Sequence, residues 1–282
     1  MPEISFTKMH GLGNDFIIIN NMDYGLDPSY FAARAGLLCD RHFGIGADGL
    51  VLIEKGEKSP YYMRVFNSDG SEAEMCGNAI RCLARYLWER EFCPDPVFRL
   101  ETGAGLKKVS LLLRGKEVLG VKVDMGAPVL ESTAIPVSGP PRRVINETIR
   151  LDDAELIFTA VSMGNPHCVI FLPDLTHIPW QRWGMMLEND SLFPRRTNVE
   201  FARILHRQEV EVKVWERGAG PTLACGTGAC AVVVAGVLTG RLNTPVQVHL
   251  PGGTLHISWE EGGPVSMEGP AEEVFRGSFH YV

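Results

Sequence analysis

The sequence predicts an α/β protein of two related halves, each a set of strands with one central helix. Three observations predict this. Val65-Phe66-Asn67 leads to Cys76-Gly77-Asn78, and Val214-Trp215-Glu216 leads to Cys225-Gly226-Thr227, at a constant offset of 149 residues (67 to 216, 76 to 225). An apolar helical run follows each Cys-Gly. Most of the remainder is short apolar runs bounded by Gly, Asn, Asp and Pro, the pattern of strands and turns. A chain of 282 residues with 45% apolar content can bury a core in each half.

In chain order, Ile4 to Phe6 reads as a strand, Lys8 to Asp15 as a Gly-spaced loop, and Phe16 to Ile19 as a buried strand. Pro28 to Leu38 reads as a helix, with Asp27 as N-cap and Pro28 at its first position. Arg41 to Gly49 is a second Gly-rich loop before strand Leu50 to Ile53. Its Gly44-Ile45-Gly46 is no dinucleotide fingerprint, because a strand rather than a helix follows. Tyr61 to Phe66 alternates as a strand, Asn67 to Met75 is turn-rich, and Cys76-Gly77-Asn78 opens a helix. There Ile80, Leu83, Ala84 and Leu87 share one face, which places Arg81 and Arg85 on the wetter side. Strands follow at Phe98 to Leu100, Val109 to Leu113 and Val118 to Met125.

The alternation stops at Asp124 to Pro128, where the domain junction is placed: residues 1–125 carry Cys76 and residues 126–270 carry Cys225. Ser132 to Pro141 reads as an exposed connection. Leu156 to Ser162 and Cys168 to Phe171 are strands joined by the tight loop Met163 to His167. Gly184 to Leu187 is part of a short helix, Arg195 to Phe201 a loop into a strand, and Val210 to Trp215 a strand. Cys225 opens the second helix, whose run Ala231 to Leu238 is apolar all round and so is expected to be enclosed on every side. Gly240 ends it. Strands Val246 to Leu250, Thr254 to Trp259 and Val265 to Glu268 complete the half. Residues 271–282 form a last strand that crosses back to the first domain.

Several function classes are excluded. The net charge of −7, with no Lys/Arg cluster interleaved with aromatics, argues against a nucleic-acid partner. The longest apolar stretch, Leu223 to Leu238, is 16 residues long, short for a membrane span. The seven cysteines are odd in number and include no C-x-x-C pair, so neither a disulfide framework nor a zinc site is indicated. Met1-Pro2-Glu3-Ile4-Ser5 lacks signal-peptide character, and a reducing cytoplasm is the expected setting.

The two Cys-Gly sites carry the chemistry. A thiol at a helix N-terminus lies at the positive end of the macrodipole, beside unpaired N–H groups. Free cysteine ionises near about pH 8.5, and such a setting can bring it lower. The glycine lets a ligand approach the backbone, and the N–H groups can hold a carboxylate. Two such thiols on opposite sides of one carbon form a base–acid pair that inverts a stereocentre. Asn78 and Thr227 each add a side-chain contact. His167 and Glu216 are candidates for tuning the thiols. Taken alone, Asn165-Pro166-His167 is a tight turn with a surface imidazole, Glu216-Arg217 a solvated ion pair, and Asn14 an Asx-turn. Cys39, Cys82, Cys93, Cys168 and Cys230 are read as packing residues. No Lys stands in a recognisable Schiff-base context.

Taken in order, Lys8-Met9-His10-Gly11-Leu12-Gly13-Asn14-Asp15-Phe16, Phe66-Asn67-Ser68-Asp69-Gly70 before Cys76-Gly77-Asn78, Ser162-Met163-Gly164-Asn165-Pro166-His167, and Trp215-Glu216-Arg217-Gly218-Ala219-Gly220 before Ala224-Cys225-Gly226-Thr227 resemble the diaminopimelate epimerase family over essentially the whole chain. The resemblance implies two pseudo-twofold-related domains, each a curved mixed sheet wrapped around a central helix. It implies interconversion of LL- and meso-2,6-diaminopimelate with no cofactor and no metal, in the route to lysine and peptidoglycan precursors, by a homodimer. By position, the family's proton donor and acceptor match Cys76 and Cys225. Its substrate contacts match Asn14, Asn67, Gly77, Asn78, Asn165, Asn198, Glu216, Arg217, Gly226 and Thr227, and its thiol-modulating residues match His167 and Glu216. Two positions depart: Gly49 stands where some members carry a substrate-touching Gln, and Phe275 where some carry a Tyr at the dimer contact. A proline or hydroxyproline racemase is the nearest rival, but such enzymes lack the distal clamp that Asn165, Asn198 and Glu216-Arg217 provide. A cysteine hydrolase would leave one matched thiol idle, and a binding protein would need neither.

Overall fold

The computed structural model describes residues 3–151 and 154–280. The chain divides into two compact units. One runs to Val123 and resumes at Gly269, and the other spans Asp124–Glu268.

In the first unit, β1 (Glu3–Gly11) and β2 (Asn14–Asn20) form an antiparallel hairpin in which Gly11 faces Asn14. The expected loop at Lys8 to Asp15 is therefore mostly strand. Only Leu12 and Gly13 turn the chain, with φ of 57° and 83°. Two positive-φ residues match the right-handed twist of flanking strands, which is why so short a turn suffices. Helix α1 (Pro28–Cys39) follows, its first turn capped by the Asp27 carboxylate, which accepts from the Ser29 N–H. Next come β3 (Gly49–Lys55), parallel to β2, and β4 (Tyr61–Asn67), antiparallel to β3. The far edge of β4 is shared by the short β5 (Glu72–Ala73), antiparallel, and by β6 (Val97–Thr102), parallel. Between them runs α2 (Gly77–Glu89). β7 (Gly105–Arg114) and β8 (Glu117–Gly126) continue antiparallel.

The second unit repeats this order. β9 (Glu147–Leu151) pairs with β10 (Ala154–Ser162), and β10 with β11 (Pro166–Phe171). Helix α3 (Trp180–Glu188) leads to β12 (Asn198–His206), parallel to β11, and β12 pairs antiparallel with β13 (Glu209–Glu216). β13 shares its far edge between antiparallel β14 (Gly220–Thr222) and parallel β15 (Val246–Leu250), with α4 (Gly226–Leu238) between them. β16 (Gly253–Ser258) and β17 (Val265–Gly269) close the unit, antiparallel. The final β18 (Glu272–His280) pairs antiparallel with β1, Glu3 facing His280.

Each sheet bends around its helix. α2 packs against β1, β2, β4, β7 and β18, and α4 against β10, β11, β12 and β16. Such enclosure needs an apolar helix, and residues Ala229 to Ala235 of α4 have no exposed surface. α2 is less uniform, and its sequence misleads at one point. Arg81, expected on the wetter side, is completely buried. Its Nη2 donates to Asn78 Oδ1 at 2.8 Å and its Nε to the Pro270 carbonyl at 3.1 Å. The helix is wrapped, so no wet side exists at that level, and the guanidinium replaces its water with protein acceptors. Gly11 makes room for it, since a Cβ there would lie 2.9 Å from Arg81 Nη2. A second expectation also fails. Ser132 to Pro141 is no exposed connection, because Ile135 and Val137 enter a core cluster with Phe158, Phe193 and Phe201, and Ser132 is fully buried.

Candidate functional site

Cys76 and Cys225 hold the same local position. Each is the extended N-cap residue of its unit's central helix, with φ, ψ of −140°, 117° and −112°, 108°. Neither thiol is engaged in capping the helix. Gly77-Asn78 and Gly226-Thr227 form the first turn behind them.

Around Cys76 the neighbours are amides. Asn14, at the start of β2, places Oδ1 3.9 Å from Cys76 Sγ and accepts from Asn78 Nδ2 at 2.9 Å. The orientation of Asn14 is fixed from behind, because its Nδ2 donates to Asp48 at 2.9 Å. Asp48 is one member of a charged cluster. Arg41 bridges Asp48 and Asp15 at 2.8 Å each, and Lys8 lies 2.9 Å from Asp15. Burial alone would raise the Asp15 carboxyl, but the hydrogen bonds and charges of Arg41 and Lys8 outweigh it and hold the group at about 2. Asn67 is exposed at the end of β4 and donates to Ser71 Oγ at 2.9 Å. Gly49 lies beside it in β3, and a Cβ there would come within 2.7 Å of the Phe66 carbonyl.

Around Cys225 the neighbours are ionisable. The thiol is buried near the Glu216 carboxylate, whose charge raises it, and that carboxylate accepts from Thr222 Oγ1 at 2.5 Å. Thr227 Oγ1 lies 3.4 Å from Cys225 Sγ. Burial, followed by the charges of Glu216 and Glu200, pushes the thiol well above its ordinary range, against smaller opposing effects of Thr227 and the Gly228 N–H. Burial likewise raises Glu216, against the hydrogen bond from Thr222 and the neighbouring thiol. The imidazole of His167 is not on the surface. It lies fully buried on β11, with Nδ1 2.7 Å from Glu200 Oε1 and Nε2 2.9 Å from Asn165 Oδ1. Asn198 Nδ2 donates to the Pro166 carbonyl at 2.8 Å, and its Oδ1 accepts from the Arg217 N–H at 2.9 Å. Arg217 is exposed, its Nη1 donating to the Arg195 carbonyl at 3.1 Å.

Sequence reasoning missed four contributors. Asp48 orients Asn14, and Arg81 holds Asn78 from below. Glu188 of α3 accepts from Trp215 Nε1 and the Gly218 N–H, both at 2.8 Å, and so fixes the turn bearing Glu216 and Arg217. Glu200 stands beneath α4. Its sequence signal was a charge among apolar residues, Val199-Glu200-Phe201, on a strand with no wet face.

Strand register aligns the two units position by position. Phe16 faces Gly49 and Val51 faces Val65 in the first, while His167 faces Asn198 and Glu200 faces Val214 in the second. Thus Phe16 corresponds to His167, Gly49 to Asn198, Val51 to Glu200, Asn67 to Glu216, and Ala79 to Gly228.

These features define a class: a duplicated, sheet-dominated α/β protein with a cysteine at the head of each enclosed helix. The hydroxyproline epimerase of Agrobacterium vitis, solved with trans-4-hydroxy-L-proline, has the same fold, with a TM-score of 0.70 at 14% identity over 98% of this chain and 92% of that one. The family model described as Diaminopimelate epimerase matches residues 6–131 and 159–274. The protein named diaminopimelate epimerase in Pelotomaculum thermopropionicum is 54% identical over 98% of this chain and 99% of its own. That of Moorella thermoacetica is 52% identical over 97% and 98%. The chain is an isomerase belonging to the diaminopimelate epimerase family.

Proposed function

We propose that the protein interconverts LL- and meso-2,6-diaminopimelate, with Cys76 and Cys225 as the two proton-transfer groups and no cofactor. The observation that carries the reading is the duplicated setting of the thiols, each an N-cap cysteine ahead of Gly and a polar residue. In one direction a thiolate takes the α-hydrogen as a proton. The electron pair left on carbon delocalises into the substrate carboxylate, which helix N–H groups stabilise. The other thiol delivers its proton to the opposite face, so thiol and thiolate exchange identities and the reverse reaction runs with roles swapped. Cys225, held as a thiol by burial and by Glu216, is suited to deliver.

Asn14, Asn67, Asn78, Asn165, Asn198, Glu216, Arg217 and Thr227, with the backbone of Gly77 and Gly226, bind substrate in this reading. The free guanidinium edge of Arg217 clamps the distal carboxylate. Asn198 and Asn78 act more by bracing, since protein groups engage both ends of each amide. Residues 1–125 with the returning C-terminal segment, and residues 126–270, serve as the two catalytic domains. The setting is the cytoplasm, with product feeding lysine and peptidoglycan synthesis. Among the described residues no helix is long and apolar enough to cross a membrane. A homodimer is part of the reading, with Val274 and Phe275 on β18 at 53% and 44% exposure as apolar surface for it, and sedimentation would expose a monomer.

The test is turnover of LL-diaminopimelate against proline and lysine without added cofactor. Cys76→Ala and Cys225→Ala should each lower the rate about 10²- to 10⁴-fold, the worth of a positioned acid or base. A Cys225→Ala variant that still epimerises at the native rate, or an unlabelled α-carbon after turnover in deuterated water, would sink the reading. Proline turnover exceeding that of diaminopimelate would favour the racemase alternative.

A further inference from the structure

The second unit contains a carboxylate to which the scheme above gives no task. Glu200 is fully buried on β12. Its Oε1 contacts His167 Nδ1 at 2.7 Å, while its Oε2 has no hydrogen-bond partner among the described residues. A buried carboxylate with an unsatisfied oxygen is costly, and packing alone does not call for one. The first unit fills the corresponding position with Val51, equally buried.

Helix α4 is altered to admit this group. A Cβ on Gly228 would lie 2.7 Å from Glu200 Oε1 and 3.3 Å from Cys225 Sγ, so carboxylate and thiol rest against the same point of the first turn. Glycine within a helix costs about 1 kcal/mol relative to alanine. The first unit, with Val51 below, has Ala79 there. The two exchanges, Val to Glu and Ala to Gly, go together: the helix gives up a methyl group where the carboxylate enters.

We propose that Glu200 is a positioning residue of the Cys225 site, a buried carboxylate that holds His167 and Asn165 in line and keeps Cys225 in its protonated form. The inference rests on Cys225 being a reacting thiol. The groups that bear on this thiol are Glu216 on β13, Glu200 on β12, and on α4 the Thr227 hydroxyl and Gly228 N–H, with His167 on β11 contacting Glu200. Cys168, also on β11, is itself pushed up by burial and by Glu200. The two carboxylates favour the thiol, and the Thr227 hydroxyl and Gly228 N–H favour the thiolate. Replacing Glu200 by a neutral isostere removes one of the two. Cys225 then ionises at lower pH than before.

The experiment is site-resolved alkylation with iodoacetamide, read by mass spectrometry across a pH series, on the full-length protein and E200Q. The midpoint for Cys225 should fall by about one pH unit, a roughly tenfold faster alkylation on the rising limb, with Cys76 unmoved. H167Q provides a second reading of opposite sense should E200Q fold poorly. It keeps the Glu200 carboxylate and removes the imidazole, so the Cys225 midpoint should not fall. An unchanged Cys225 midpoint in E200Q, or a lowered one in H167Q, overturns the proposal. Alkylation reads the thiol directly, so either result stands apart from turnover. An unaltered protein that fails to epimerise diaminopimelate would overturn the functional reading alone.

Discussion

The surroundings of Cys76 and Cys225 share a backbone and differ in charge. Strand order, register, the N-cap position of the cysteine and the glycine after it are the same in both units. Where the first unit has Phe16, Val51 and Asn67, the second has His167, Glu200 and Glu216. The first unit also has carboxylates, Asp15 and Asp48, but pairs them with Lys8 and Arg41 and sets them behind Asn14. The second brings its carboxylates up to the sulfur, with one buried imidazole for company. A duplicated fold thus supplies two equivalent positions for a thiol, and a few substitutions on the strands beneath decide how tightly each holds its proton.

The sharpest way to break this comparison is to make the two helix starts alike. Gly228→Ala copies the residue at the corresponding position, Ala79, but its Cβ would meet Glu200 Oε1 at 2.7 Å. Overpacking of this kind costs about 1–3 kcal/mol, more than the helix propensity gained. Thermal unfolding of G228A should therefore occur below that of the parent. The double variant Glu200→Val with Gly228→Ala should recover most of the loss, because it recreates the first unit's packing. A G228A protein as stable as the parent would mean that Glu200 is free to move aside, and the pairing of these two positions would carry no meaning.

Acid and alkaline stability should divide between the units. Asp15 is depressed from 3.8 to about 2, so it contributes stability above pH 3.8 that is lost as pH falls through about 2. A shift of nearly two units corresponds to about 2 kcal/mol at most, and to less once solvent screens the half-exposed Arg41 partner. Asp15→Asn should remove that acid-side dependence. Cys225 is raised, so the opposite sign holds. Its contribution is present below the ordinary thiol range, near 9.0, and fades as pH rises through the higher folded value. Denaturant titrations on both sides of neutrality check this. Asp15→Asn leaving the acid limb unchanged would show that the Lys8–Asp15–Arg41 cluster is screened by solvent.

Most of the fold could be read from the sequence because alternation and turn residues mark strands wherever one face is wet, and because the Cys-Gly repeat gave the duplication. The errors cluster where that contrast vanishes. Arg81 follows a helical period correctly, yet the helix is enclosed, so its polar stripe meets protein instead of water. Ile135 and Val137 stand in a Pro/Gly-rich segment that turns inward to close a core. The cysteines and the amides were legible from their motifs. The groups that orient them were not: Asp48 lies 34 residues from Asn14, and Glu200 lies 33 from His167. No local pattern records contacts between strands so far apart in sequence.

Asp48 gives the smallest expected effect and tests the first unit from behind. Its Oδ2 accepts from Asn14 Nδ2, which leaves Asn14 Oδ1 facing Asn78 and Cys76, while its Oδ1 accepts from Arg41 at 2.8 Å. An Asn at position 48 has one oxygen to offer. If that oxygen keeps Arg41, its amide nitrogen turns toward Asn14, which then flips and presents Nδ2 to the donor of Asn78. A hydrogen bond to a charged group contributes about 1.5–3 kcal/mol when buried, and Asp48 is partly exposed, so D48N should lower kcat/KM by roughly three- to tenfold. The alkylation midpoint of Cys225 should stay where it is, since nothing in its surroundings has changed. Equal kcat/KM in D48N and the parent would mean that Asn14 is oriented by Asn78 alone, and that the first unit's charged cluster serves folding rather than the site.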